Sequence, residues 1–144
     1  MIKVKRIDHV AIAVRDRDGA SGALTDLFGL CPGACEHVAA QSTDVAFLHA
    51  GATDDAALEL IAPDGNEGLQ RFLDRRGPGL HHICFEVDDL PDALASLKAA
   101  GVRLIDDVPR PGARGHLVAF LHPASTGGVL FELCAPASPH GAKA

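Results

Sequence analysis

Four residues have the types and the spacing to hold a cation: His9, Glu59, His82 and Glu132. Glu59 stands inside the apolar run "ALELIAP" and Glu132 inside "VLFELCAP". A carboxylate buried in such a run is costly unless it is paired or bound to a cation, so two at equivalent places need a reason. Two imidazoles and two carboxylates form a mixed nitrogen and oxygen donor set suited to a divalent transition metal. An octahedral ion held by four such groups keeps two positions for two oxygens of a substrate.

What ties the four together is an internal repeat. "VAFLH" at 45 to 49 recurs unchanged at 118 to 122, an offset of 73. At the same offset "DHVAIAVRD" lies over "HHICFEVDD", so His9 falls on His82, and "ALELIAP" lies over "LFELCAP", so Glu59 falls on Glu132. Metal ligands must converge from separate elements, and one offset linking all four favours a shared role over four separately solvated side chains.

The elements that position them read alike in the two halves. "HVAIAV" and "HICFEV" are short β-branched runs of strand length. "DGASGALTDLFG" and "LPDALASLKAAG" have helical spacing, the second with Asp88 or Asp89 as cap, Pro91 in its first turn and Gly101 as stop. Three further strands follow in each half, around 35 to 39, 45 to 49 and 57 to 62, then around 102 to 106, 117 to 122 and 129 to 134. The order is β-α-β-β-β, twice. The sequence therefore predicts an α+β fold of two tandem modules, at about 5–64 and 79–136, within one domain spanning 1–136. A linking helix spans about 66–77 between Asn66 and Gly77, and 137–144 forms a tail.

Side chains alternate along a strand, so His9 lies opposite Val10, Ile12 and Val14, and His82 opposite Ile83, Phe85 and Val87. Glu59 and Glu132 lie opposite their flanking leucines and phenylalanine. All four thus point away from the helix side of their sheets. His81 points to the helix side, and the repeat-related His49 and His122 end strands beside turn residues and are expected to be structural.

With 13 basic and 19 acidic residues the net charge of −6 argues against sequence-independent attraction to nucleic acid. The N-terminal apolar run is broken by Asp8 and His9, too polar for a signal peptide, and no run reaches membrane-spanning length. Cys31, Cys35, Cys84 and Cys134 fit no zinc spacing and read as free thiols of a cytoplasmic protein.

The stretches "DHVAIAV", "LELIAP", "RFLDRRGPGLHHICFEVDD" and "GVRLIDDVPRPGARGHLVAFLHPASTGGVLFEL" give the chain, up to about residue 136, a resemblance to the vicinal oxygen chelate superfamily. Within it the chain is similar to the methylmalonyl-CoA epimerase family. The resemblance implies paired modules whose curved, barrel-like sheet surrounds a divalent metal (Co, Mn, Ni, Fe or Zn), with His9, Glu59, His82 and Glu132 as ligands. It implies a homodimer acting on an acyl-CoA, with Glu132 both ligand and base in a proton abstraction that inverts a carbon between a thioester and a carboxylate. Cations such as Arg75, Arg76, Arg110 and Arg114 are candidates for the CoA phosphates, and "PRPGARG" at 109 to 115 for a flap over the site.

Two positions depart from the family. Its second acid/base glutamate is matched by Ala40, beside Gln41, which reads as loss of that group, with Glu36, His37 or Asp44 as the alternative suppliers if the alignment of the loop slips. Its aromatic pair in the first helix is matched by Ala23 and Leu24. Three functions follow: an epimerase with compensation, a diverged isomerase, lyase or decarboxylase using one base, or a non-catalytic binding protein of the same fold.

Overall fold

A computed structural model describes residues 1–51 and 54–137. The tail expected over 137–144 lies, past Ala137, outside the described residues. The element order is β-α-β-β-β in each half, as the repeat requires. The first half comprises β1 (Val4–Ala13), α1 (Arg17–Phe28), β2 (Cys31–Val38), β3 (Thr43–His49) and β4 (Ala57–Pro63). The linking helix is α2 (Glu67–Arg76). The second half comprises β5 (Gly79–Val87), α3 (Leu90–Ala99), β6 (Arg110–Pro111), β7 (His116–Leu121) and β8 (Phe131–Pro136). Two compact units result, one of His9–His81 and one in which Met1–Asp8 joins the chain from His82 onward.

In the unit of His9–His81 the strand order is β2-β3-β4-β1, with β2, β3 and β4 antiparallel and β4 parallel to β1. Asp16 starts α1 by accepting a hydrogen bond from the Gly19 amide at 3.0 Å, and Gly29 ends it in the left-handed region at φ 66°. The helix packs against β3 and β4 without fully burying any residue; Ala23 is exposed. Asn66 caps α2 by accepting from the Leu69 amide at 2.9 Å. Its Nδ2 donates to the Gln41 carbonyl and to Thr43 Oγ1, each at 3.0 Å, which ties α2 to the β2–β3 connection.

In the other unit β5 runs parallel to β8, β8 antiparallel to β7 and β7 antiparallel to β6. Asp89 caps α3, accepting from the Asp92 amide at 2.9 Å. The helix buries Leu90, Ala93 and Leu94 against Val87, Ala119, Leu121, Leu133 and Ala135. Each leucine so buried contributes about 1.5–3 kcal/mol.

The strand expected at 102 to 106 does not form. Ile105 and Asp106 both donate backbone hydrogen bonds to the Phe120 carbonyl, and the Phe120 amide turns to the Asp106 carboxylate at 2.8 Å. A side chain thus takes the place of the backbone acceptor that a ladder would need, leaving a single bridge between Leu104 and Leu121. The pairing strand comes later, as the two-residue β6. No helix among the described residues is long and apolar enough to cross a membrane.

Candidate metal centre and its surroundings

Register decides which side chains meet. On β4, Glu59 is paired with Ala11 of β1 on one side and Phe47 of β3 on the other. His9 stands two residues before Ala11, on the same face. Its Nε2 lies 3.4 Å from Glu59 Oε1, with both residues buried, and its ring meets the edge of Phe47 at 5.7 Å.

The second unit repeats this arrangement. Glu132 of β8 is paired with Cys84 of β5 and Phe120 of β7. His82 Nε2 lies 3.5 Å from Glu132 Oε1, both residues are buried, and the His82 ring meets Phe120 edge-on at 5.0 Å. Phe85, Val87, Leu133, Ala119 and Leu121 occupy the opposite face, packed with α3, as alternation requires.

The donor set fits a cation. Separations of 3.4 and 3.5 Å are longer than the roughly 2.9 Å of an ordinary N–H···O bond. They are near the roughly 3.0–3.4 Å that two ligands keep when each is bonded at about 2.1 Å to one metal. Each carboxylate is also desolvated by its strand, the situation a bound cation relieves.

Next to Glu132 the same face carries Cys84, Val118 and Cys134, all buried. Burial pushes the Cys84 thiol well above its usual pKa, reinforced by its hydrogen bond with Cys134. Cys31 and Cys35 are exposed. Thiol titration of the folded protein at neutral pH should therefore show two fast-reacting cysteines, with two more appearing on unfolding. Four fast thiols in the folded state would contradict this burial.

Sequence reasoning missed Asp8 as a structural centre. Only 1 % exposed, it receives Arg6 Nη2 at 2.9 Å and a short contact from Arg114 Nη2, while Arg6 Nε also donates to Glu86 at 2.7 Å. The signal was the same one that marks Glu59, a carboxylate inside an apolar strand.

The remaining candidates fall elsewhere. His81 packs edge-on against Phe72 of α2 at 5.0 Å, and His122 caps the turn after β7 by accepting from the Ala124 amide at 3.0 Å. Ala40 is exposed in the one-turn 3-10 segment Ala39–Gln41, away from the strand rows that carry Glu59. His37 is paired with Asp44, which is paired with Ala62, so both lie on the face opposite Glu59. There His37 Nδ1 meets Asp44 at 2.8 Å and Asp64 at 3.6 Å.

Of the four arginines, Arg76 covers the Phe72 ring at 5.4 Å and Arg110 the Phe120 ring at 5.9 Å, while Arg75 is exposed. The 109 to 115 loop is tied at both ends. Arg110 and Pro111 pair with β7, and Arg114, at φ 58°, is held by Asp8. Gly112 permits the close approach, since a Cβ there would stand 2.7 Å from Val118 Cγ1.

Residues 8–120 match the family described as Glyoxalase/Bleomycin resistance protein/Dioxygenase superfamily. A curated Bacillus subtilis protein, "Uncharacterized protein YqjC", is 40% identical over 92% of this chain and 94% of its own. The mouse protein "Methylmalonyl-CoA epimerase, mitochondrial" is 36% identical over 91% of this chain and 73% of its own. The solved structure of a Streptomyces coelicolor methylmalonyl-CoA epimerase variant in complex with 2-nitronate-propionyl-CoA superposes with a TM-score of 0.88. It is 32% identical and covers 94% of this chain and 97% of that one.

Proposed function

Since the chain belongs to the glyoxalase/bleomycin resistance protein/dioxygenase superfamily and is related along nearly its whole length to methylmalonyl-CoA epimerases, we propose that it epimerises a 2-substituted malonyl-CoA. That relatedness is the observation that carries the reading, and the acyl-CoA ligand of the Streptomyces coelicolor epimerase supports the substrate class. His9, Glu59, His82 and Glu132 are the residues that hold a divalent metal in this proposal. Its support is the pair of matched His–Glu contacts, at 3.4 and 3.5 Å, related by the duplication.

A hydrogen on carbon between a thioester and a carboxylate is acidic because its removal delocalises charge onto the thioester oxygen. A metal on these ligands would supply positive charge to offset that developing charge. Glu132 removes or returns the proton, and its surroundings of Cys84, Phe120 and Cys134 keep the reacting face dry. One-base chemistry in a diverged metalloenzyme would draw support from the alanine at position 40. Ala40 sits in an exposed turn, so its identity does not favour that reading over epimerisation.

We place the enzyme in the cytoplasm as a homodimer, the exposed Leu27 and Phe28 at the end of α1 being apolar surface that a second copy would cover.

Incubating each methylmalonyl-CoA epimer in deuterated water with metal-loaded protein should give both deuterium incorporation and inversion. Activity should be lost on chelation and restored by a divalent transition metal. Absence of exchange with both epimers would overturn the proposal. Full activity in a protein shown by metal analysis to be metal-free would remove its metal part.

A further inference from the structure

A 2-substituted malonyl-CoA differs from a simple acyl-CoA ester by a free carboxylate on the reacting carbon. Selecting it requires a cation within reach of that carbon, because a carboxylate taken out of water without a partner is costly. The unit that holds His82 and Glu132 carries such a group on the same sheet face. Arg110 of β6 is paired with Val118 of β7, which stands two residues from Phe120, and Phe120 is paired with Glu132. Alternation therefore puts Arg110, Val118, Phe120 and Glu132 on one side of the sheet.

Arg110 is held in place there. Its guanidinium lies over the Phe120 ring, 5.9 Å from the centroid, and that ring meets His82 edge-on at 5.0 Å. Its Nε lies 3.1 Å from Asp106 Oδ1. Asp106 is itself fixed, since its Oδ2 accepts the Phe120 amide at 2.8 Å and its side chain is 13 % exposed. One carboxylate thus anchors both the strand that carries Phe120 and the cation above its ring. The Arg110 side chain stays 39 % exposed, which leaves its Nη groups open to a ligand. Those groups form the planar fork that receives a carboxylate through paired hydrogen bonds. Arg6 and Arg114 of the same unit are instead committed to Asp8 and Glu86.

Distance separates the anions that Arg110 could meet. Phe120 and Glu132 are cross-strand neighbours about 5 Å apart at Cβ, so a guanidinium over the Phe120 ring lies roughly 8–10 Å from the Glu132 carboxyl. A proton-transfer contact of about 3 Å, the bonds from the reacting carbon to its carboxylate oxygen, and a hydrogen bond of about 2.9 Å span a comparable length. The CoA phosphates lie beyond the pantetheine arm, several times further away.

We infer that Arg110 is the specificity-determining residue that binds the free carboxylate of the 2-substituted malonyl-CoA. The inference rests on the epimerase reading and names what selects its substrate. Neutralising that carboxylate also removes the repulsion that negative charge developing on the thioester oxygen would meet.

The test measures binding of malonyl-CoA and acetyl-CoA, which differ by that carboxylate alone, to metal-loaded wild type, Arg110→Gln, Arg110→Lys and Arg103→Gln. Wild type should prefer malonyl-CoA. Arg110→Gln should lose about 10- to 100-fold in affinity for malonyl-CoA, the worth of a charge-assisted hydrogen bond, with acetyl-CoA unchanged. Arg110→Lys should keep part of the preference, and Arg103→Gln, which removes an exposed charge of the same unit, should match wild type with both esters. A metal that itself attracts the carboxylate does so in wild type and variant alike, so their difference isolates Arg110. Equal losses with both esters in folded Arg110→Gln would assign the residue to the CoA phosphates and overturn the inference. So would an undiminished preference in that variant, or no preference in wild type. Should Arg110→Gln not fold by circular dichroism, Arg110→Lys carries the same comparison, and its preference must fall. Failure of the epimerase reading shows separately, as wild type that keeps the preference yet exchanges neither methylmalonyl-CoA epimer in deuterated water; that result would support the carboxylate site and remove the epimerisation.

Discussion

Glu132→Ala should abolish inversion at any metal concentration, whereas Glu59→Ala should lose activity that excess metal restores. Both glutamates are buried, and each lies beside a histidine Nε2, at 3.4 Å for Glu59 and 3.5 Å for Glu132. In the proposed metal site they would therefore be equivalent ligands, and removing either should weaken metal binding. Only Glu132 is also assigned a proton to move, and a positioned general base is worth about 10²–10⁴ in rate. Metal added in excess compensates for affinity and leaves a missing base missing. Metal titrations read by bound metal and by inversion rate separate the two effects. Equal rescue of both variants would show that Glu132 is a ligand alone, and full activity of Glu132→Ala without rescue would remove it from the site.

Asp8→Ala should destabilise the fold by about 3 kcal/mol, a loss large enough to show as a clear fall in the midpoint of thermal or denaturant unfolding. Asp8 is 1 % exposed and is the shared partner of Arg6 and Arg114. Its removal leaves Arg114 without this carboxylate in the left-handed conformation at φ 58°, which costs a non-glycine residue energy unless contacts enforce it. Arg6 keeps Glu86 at 2.7 Å and both guanidinium groups retain some solvent, so the value sits at the low end of the range for breaking a buried pair. A double-mutant cycle between Asp8→Ala and Arg114→Ala should return a coupling of at least about 1 kcal/mol, little reduced by salt. Additive losses would mean that the contact carries no stability.

The balance between sequence and tertiary structure shows at particular residues. The repeat foretold the order of elements because two copies of one unit bury the same faces, and the pairs Glu59–Phe47 and Glu132–Phe120 realise it twice. Period-two alternation placed Leu133 and Val87 with α3 and Glu132 opposite them. Local chemistry marked the ends of α2 and α3, since Asn66 and Asp89 need only an amide three residues away.

Alternation fails wherever pairing is irregular. The shift between Pro32 and Cys35 means that counting along β2 cannot say whether Glu36 or His37 shares the face of Glu59; only the cross-strand partner Val45 says so. The missing strand at 102 to 106 has the same origin, an Asp106 carboxylate competing for the Phe120 amide from fourteen residues away. Asp8 likewise found its partners at Arg114, 106 residues distant. The sequence by itself determined the duplicated α+β plan, the four candidate ligands and the two classes of strand face, because these follow from short-range periodicity and one offset. Only the tertiary structure decided which carboxylates stand in which row and which are neutralised by arginine, because those depend on contacts between segments that no local pattern encodes.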